Sequence, residues 1–315
     1  MNITYFSFLM AIIWSSMIII LSYTIHKKRT FIKYFGIISL VILYLVCGIR
    51  LLLPIEFPFV RVLGLTGIFA EIYKTIQLNE ITVLGFYTTI TNLLISIWLI
   101  GIFIIIIRWT VQYYKAIKKI RSIKKSQSMQ SEKVLYKVQN VYHRKLHIKI
   151  WRSPHVNIPM GIGIFRKTIL LPEGSYTDNE LYYILLHEYT HFINRDIAVK
   201  MLIHIFCCIF WWNPSVYLLK KDLDQTLEIK CDLTVTKSMD KNSKVSYLEV
   251  IIRMIENVAN KTEDGHSIPF TMLFQPKIET AVIERFQVVM DDHLRPGKAK
   301  LFYILGNSSV RRNSE

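Results

Sequence analysis

The hydrophobic pattern of this chain changes character near residue 107. Before that point apolar residues come in long blocks. Residues 5–25 and 88–107 carry no charge, and residues 34–53 carry one, Arg50, near the end. At about 1.5 Å per residue, a helix of this length crosses a hydrocarbon core of about 30 Å. The blocks predict three spanning helices. The first lacks a basic segment ahead of it and a small-residue cleavage site, and its positive cluster follows it. It therefore reads as a retained span and not as a signal peptide.

Beyond residue 107 the apolar positions become periodic. Ile117, Ile120 and Ile123 form one stripe, which predicts a juxtamembrane helix, and a polar break follows from Ser126 to Ser131. A second amphipathic stretch covers 132–143. Residues 147–151 alternate, and 162–171 read as strand, closed by the turn Pro172-Glu173-Gly174. Thr177-Asp178-Asn179-Glu180 is a capping-box pattern that opens a helix with Leu181, Ile184, Leu185, Tyr189 and Phe192 on its buried side. Residues 197–212 are apolar but only 16 long and contain Lys200 and His204, which suits a helix packed in the core or dipping into the inner leaflet. A further helix is expected over 215–237. Residues 257–267, with Asp264-Gly265, read as an exposed loop.

Composition narrows the class. With 52% hydrophobic and 20% charged residues, the chain is too apolar to be disordered, and four cysteines are too few for a disulfide scaffold. Cys207 and Cys208 read as buried thiols. The net charge is +16, and 15 Lys/Arg against one acid, Glu132, lie within 108–167. Lys27, Lys28, Arg29 and Lys33 separate the first two blocks, whereas Glu56, Glu71 and Glu80 outweigh Arg61 and Lys74 between the second and third. The positive-inside rule then puts the N-terminus and residues 55–87 outside and everything after the third span in the cytoplasm. The basic run serves topology and attraction to anionic lipid heads, so the lipid bilayer is one partner. A docking face for an acidic partner is the alternative. No nucleic-acid motif accompanies the charge, and nucleic acid is not an expected partner.

The chemistry resides in His187-Glu188-Tyr189-Thr190-His191. Histidines four apart share one helix face, so both imidazoles can reach a single metal ion. Glu188, about 100° round the helix from His187, is placed to act as general base on a water that zinc would acidify. A catalytic zinc site takes a third protein ligand. Glu228, 37 residues after His191, is the candidate. Asp232 lies one turn further on the same face, where it suits a carboxylate that holds a ligand histidine from behind, and Asp196 is a second such candidate.

Four features together resemble the BlaR/MecR family of membrane zinc metallopeptidases, which are gluzincins and signal transducers of β-lactam resistance. They are the three apolar blocks; Ile158-Pro159-Met160 followed by Ile169-Leu170-Leu171-Pro172; the His-Glu-x-x-His motif with Asp196; and Phe210-Trp211-Trp212-Asn213-Pro214 leading to Glu228 and Asp232. The resemblance implies Zn2+ held by His187, His191 and Glu228, with Glu188 as the base. It implies a mainly α membrane protein in which transmembrane helices precede an α+β gluzincin zinc-peptidase domain. The expected division is a three-helix transmembrane region at 1–112, a cytoplasm-facing peptidase at 113–300, and a short tail at 301–315 that starts like a fourth span. Full-length transducers of this family continue into an extracellular penicillin-binding sensor, for which no matching residues follow here. The Ser-x-x-Lys run from Ser122 to Lys125 has no Lys-Thr-Gly partner in the chain.

The implied function is cleavage of a cytoplasmic protein, a transcriptional repressor or the chain itself, in signal transduction such as antibiotic-resistance regulation. Family members cut themselves between the protease core and the last span, which here points to 257–267. Two alternatives stand beside it. One is a Ste24/HtpX-like quality-control or processing protease. The other is an inactive, truncated membrane adapter. The oligomeric state stays open, a homo-oligomer included.

Overall fold

The computed structural model describes residues 5–25, 37–53, 67, 68, 71, 74, 75, 80–83, 86–121, 129–154, 156–262 and 278–291. The basic cluster Lys27 to Lys33, the pair Ser122 and Lys125, Asp264-Gly265 and the tail 301–315 lie outside them.

Helix α1 (Tyr5–Ile25) and helix α2 (Ile37–Leu52) match the first two apolar blocks. A hairpin of β1 (Glu80–Val83) and β2 (Phe86–Thr89) then feeds directly into helix α3 (Ile90–Arg121). The hairpin was not anticipated. Thr88 and Thr89 pair with Ile81 and Glu80, so these β-branched residues belong to a strand, and the helix begins two residues later than its apolar block. The Thr89 hydroxyl caps the helix by accepting the Asn92 N–H at 3.3 Å. At its other end α3 runs on past the predicted limit, absorbing much of the juxtamembrane segment. Trp109 and Tyr113, one turn apart, stack with centroids 5.8 Å apart across that junction. Among the described residues, one stretch, Ile90–Lys115, is long and apolar enough to cross a membrane on its own; Met10–Thr24 and Val41–Leu51 are shorter apolar stretches.

The second half begins with helix α4 (Met129–Val141) and a three-stranded sheet of β3 (Ile148–Ser153), β4 (Met160–Ile162) and β5 (Lys167–Pro172). The order is β3-β5-β4, with β3 parallel and β4 antiparallel to β5. The segment 168–171 is thus in the central strand, and β4 is an edge. That follows from its residues: Ile169, Leu170 and Leu171 are wholly buried, as a strand covered on both faces requires. Gly163, at φ +82°, makes the β4–β5 turn, where a Cβ would collide with the Arg166 carbonyl.

Helix α5 (Asp178–Ile193) packs on α4 and the sheet. Its capping box forms as read: Glu180 N–H donates to the Thr177 hydroxyl at 3.2 Å, and Thr177 N–H donates to the Glu180 carboxylate at 2.9 Å. Leu181, Ile184, Leu185, Tyr189 and Phe192 are all buried in one core with Ile150, Ile169 and Leu171. Thr177→Ala is expected to destabilise this half by about 1 kcal/mol in denaturant melts, the usual cost of a lost cap.

Arg195, in the left-handed region at φ 59°, turns the chain into helix α6 (Asp196–Ile209). Asn213 then caps helix α7 (Pro214–Val235), accepting Ser215 N–H at 3.0 Å, with Pro214 at the first helical position. The α6–α7 hairpin packs against the apolar helices. Ile203, Phe206 and Phe210 share a buried cluster with Ile19 of α1 and Tyr44, Cys47 and Leu51 of α2. Its tip is tied down twice: Trp98 of α3 donates to the Ile209 carbonyl at 2.7 Å, and Asn213 donates to Ser16 of α1 at 3.1 Å. The His204 ring lies tilted against Trp109 with centroids 5.0 Å apart. A Cβ on Gly101 would lie 2.5 Å from the Trp211 indole. Gly101→Leu therefore forces α3 off the hairpin and should lower the thermal midpoint in detergent, consistent with an overpacking cost of about 1–3 kcal/mol.

Beyond a short 3-10 turn, helix α8 (Lys241–Thr262) and helix α9 (Ile278–Met290) close the core. The loop expected from residue 257 is corrected in part, since α8 continues through Thr262; residues 263–277 lie outside the described set. Asn257 and Asn260 are weak helix formers, but the preceding run from Val250 to Ile255 docks on the core and carries the helix past them.

Candidate metal centre

Helix α5 buries both motif histidines, each 6% exposed, and the four-residue spacing sets their ring centroids 4.7 Å apart. The two Nε2 atoms face each other at 3.1 Å. From α7, Glu228 brings Oε2 to 3.4 Å from His187 Nε2 and 3.6 Å from His191 Nε2. A tetrahedral zinc with bonds of about 2.0–2.2 Å holds its ligand atoms about 3.3–3.5 Å apart, so this triangle has the size such an ion requires.

The hydrogen bonds behind the rings supply a second test of fit. Asp196, fully buried, sets Oδ2 2.9 Å from His191 Nδ1. A carboxylate only accepts, so His191 Nδ1 donates to it, and Nε2 is the nitrogen that gives up its proton to bind a metal. His187 Nδ1 lies 2.7 Å from the Tyr247 hydroxyl, which in turn donates to Asp232 Oδ1 at 2.6 Å. With its one proton committed to Asp232, the hydroxyl accepts from Nδ1–H, which leaves His187 Nε2 as the metal-facing nitrogen. Two ring nitrogens and a carboxylate oxygen thus converge where a divalent cation can take the place of the ring protons.

Asp232 therefore acts on His187 mainly through Tyr247; its own Oδ1 is 3.4 Å from the ring nitrogen. Arg285 of α9 grips the same carboxylate, with Nε 2.6 Å from Oδ2 and Nη2 2.9 Å from Oδ1. Lys200 of α6 binds the outer oxygen of Glu228 at 2.9 Å, and Lys230 binds Asp196 at 3.2 Å. Burial works against the Glu228 carboxylate, but Lys200 and then His191 hold it well below the usual carboxylate range. Burial likewise disfavours charge on the two imidazoles. Nearby negative groups, Cys231 foremost, outweigh it and keep both rings well above the ordinary histidine value. In this surrounding, binding of a divalent cation at the Nε2 atoms displaces protons.

A second donor set overlaps the first. The ligand atoms of His187, His191 and Cys231 all lie within 4.8 Å of one another. The Cys231 sulfur, however, sits 3.5 Å from His187 Nδ1, behind the ring, and 3.4 Å from the His187 carbonyl. Glu188 follows His187 on the helix and is 8% exposed.

The structure thus brings His187, His191 and Glu228 together, with Asp196 and Asp232 behind the rings. Sequence reasoning overlooked Lys200, Cys231, Tyr247, Lys230 and Arg285 as members of the cluster. Lys200 did leave a signal, since a lysine inside an apolar helix needs a countercharge. Tyr247 and Arg285 left none, being ordinary residues on distant helices.

The profile described as BlaR1 peptidase M56 matches residues 5–271. The chain belongs to the BlaR1 peptidase M56 family. Its similarity to curated members is modest. It is 28% identical over 169 residues to the methicillin resistance mecR1 protein of Staphylococcus aureus (strain Mu50 / ATCC 700699), covering 53% of this chain and 29% of that protein. It is 28% identical over 166 residues to regulatory protein BlaR1 of Bacillus licheniformis, covering 50% of this chain and 27% of that protein. Against regulatory protein BlaR1 of Staphylococcus aureus it is 28% identical over 189 residues, 58% of this chain and 32% of that protein. The match to this M56 chain therefore spans less than a third of each relative's length.

Proposed function

We propose that this chain is a membrane-bound zinc endopeptidase of the BlaR/MecR type that cleaves a cytoplasmic protein, a transcriptional repressor or itself, as a step in signalling such as antibiotic-resistance regulation. The observation that carries the reading is the convergence of three ligand atoms, His187 Nε2, His191 Nε2 and Glu228 Oε2, within 3.1–3.6 Å. Family membership and the printed names of the relatives support the regulatory role.

His187, His191 and Glu228 would hold the metal, with Asp196 and the Tyr247–Asp232 pair orienting the rings. When bound, zinc brings the pKa of a coordinated water to about 7 and polarises a carbonyl. Glu188 takes the proton from the attacking water and returns it to the leaving nitrogen. Lys200 fixes the Glu228 carboxylate from its far oxygen. The free side of β4 suits an extended peptide added as a further strand, which places a substrate beside α5.

In this reading α1, α2 and the apolar part of α3 are spans with the N-terminus outside, and the basic stretch that begins within the last turns of α3 lies on the cytoplasmic face. Trp98 and Gly101 sit well inside the apolar length of α3, so the α6–α7 tip that touches them reaches into the inner leaflet. This accounts for an apolar helix too short to cross, whose Lys200 turns to Glu228.

The test is cleavage by the purified chain in detergent or liposomes, offered a candidate transcriptional repressor from the same organism. The expected result is zinc-dependent cleavage of the repressor or of the chain, abolished by a chelator and restored by zinc. Cleavage indifferent to chelator would remove the reading. A further expectation separates the two donor sets. Cys231→Ser should keep wild-type zinc content, because its sulfur faces the wrong ring nitrogen. Loss of zinc in that variant would make sulfur a ligand.

A further inference from the structure

Arg285 stands apart from the rest of the cluster. It lies on α9, beyond the residues matched by the family profile, which end at 271. Its helix docks on the core through Val288 and Val289, both buried and one turn further along the same face. That docking carries the guanidinium to two carboxylates on α7 at once. Nε and Nη2 form a fork with Asp232 at 2.6 and 2.9 Å, and Nη1 is 3.7 Å from Glu228 Oε2, the oxygen that faces both imidazoles.

The geometry points to Arg285 as a positioning residue of the metal centre, contributed by α9 and acting through Asp232, Tyr247 and His187. This rests on the zinc reading above. The fork engages both oxygens of a carboxylate that is 0% exposed and fixes its rotation. Fixed in that way, Oδ1 is the acceptor for the Tyr247 hydroxyl, and the hydroxyl in turn keeps its lone pair toward His187 Nδ1–H. The orientation of the His187 ring, with Nε2 directed at the ion, is thereby set three hydrogen-bonded steps from the arginine. Lysine cannot reproduce the effect fully, because a single ammonium cannot engage both oxygens in the plane of the carboxylate.

The experiment measures zinc affinity of the metal-free chain, residues 1–315, in detergent by competition with a chromophoric chelator. It compares wild type, Arg285→Gln, Arg285→Lys, Tyr247→Phe and the double variant Arg285→Gln/Tyr247→Phe. Loss of a group that orients a metal ligand from behind typically weakens affinity about 10–100-fold. That loss is expected for Arg285→Gln, with Arg285→Lys between it and wild type. Tyr247→Phe cuts the connection, so adding Arg285→Gln to it should weaken zinc by less than about threefold more. Full additivity of the two losses would overturn the proposal, as would near-wild-type affinity in Arg285→Gln. Should Arg285→Gln not fold, Arg285→Lys in the two Tyr247 backgrounds gives the same comparison. Failure of the zinc reading itself shows differently, as a wild-type chain that takes up no zinc.

Discussion

Glu188→Gln should retain wild-type zinc content while its peptide cleavage falls by about 10²–10⁴-fold, the range that a positioned general base supplies. The separation of the two effects follows from the structure. Glu188 is next to His187 on α5, but neither of its oxygens takes part in the triangle of His187 Nε2, His191 Nε2 and Glu228 Oε2. Replacing a carboxylate by an amide of the same shape keeps the packing of a residue that is 8% exposed and removes only its capacity to accept a proton. Metal analysis and a cleavage time course on the same preparation check both halves. Equal cleavage by wild type and variant would assign the cut to a different protease.

Glu228→Ala should have the opposite signature: zinc is lost, and activity is lost because of it. The substitution deletes one of three converging ligand atoms and leaves Lys200 without its partner at 2.9 Å. Lys200 is 21% exposed on its side chain, so water recovers part of that loss, and the main effect is on the metal. A ligand present at about 100 times its dissociation constant stabilises the native state by about 2.7 kcal/mol. Zinc should therefore raise the thermal midpoint of wild type and leave that of Glu228→Ala unmoved. A zinc-induced shift of equal size in both would exclude Glu228 from the coordination sphere.

The parts of the site that were legible in the sequence are those encoded locally. A capping box four residues long and two histidines one helical turn apart need nothing beyond the helix that contains them. Glu228 and Asp232 were readable as a pair because they too lie one turn apart, although nothing local fixes their distance from His187. Tyr247 and Arg285 could not be read, since they reach Asp232 only through the docking of α8 and α9 on α7. The fold shows the same division. Three apolar blocks announced three helices, but the β1–β2 hairpin took Thr88 and Thr89 from the third, and that helix ran on to Arg121 because no glycine or proline stops it between Trp109 and Arg121. The central place of β5 is set by burial on both faces, which a run of Ile169, Leu170 and Leu171 suggests but does not distinguish from an edge.

The central claim is that two imidazole nitrogens and the Glu228 carboxylate share one zinc. X-ray absorption at the zinc edge of the purified chain tests it most directly. The account predicts a first shell of nitrogen and oxygen at about 2.0–2.1 Å with the outer-shell scattering of two imidazoles. A sulfur shell at about 2.3 Å, or a chain that holds no zinc, would contradict it.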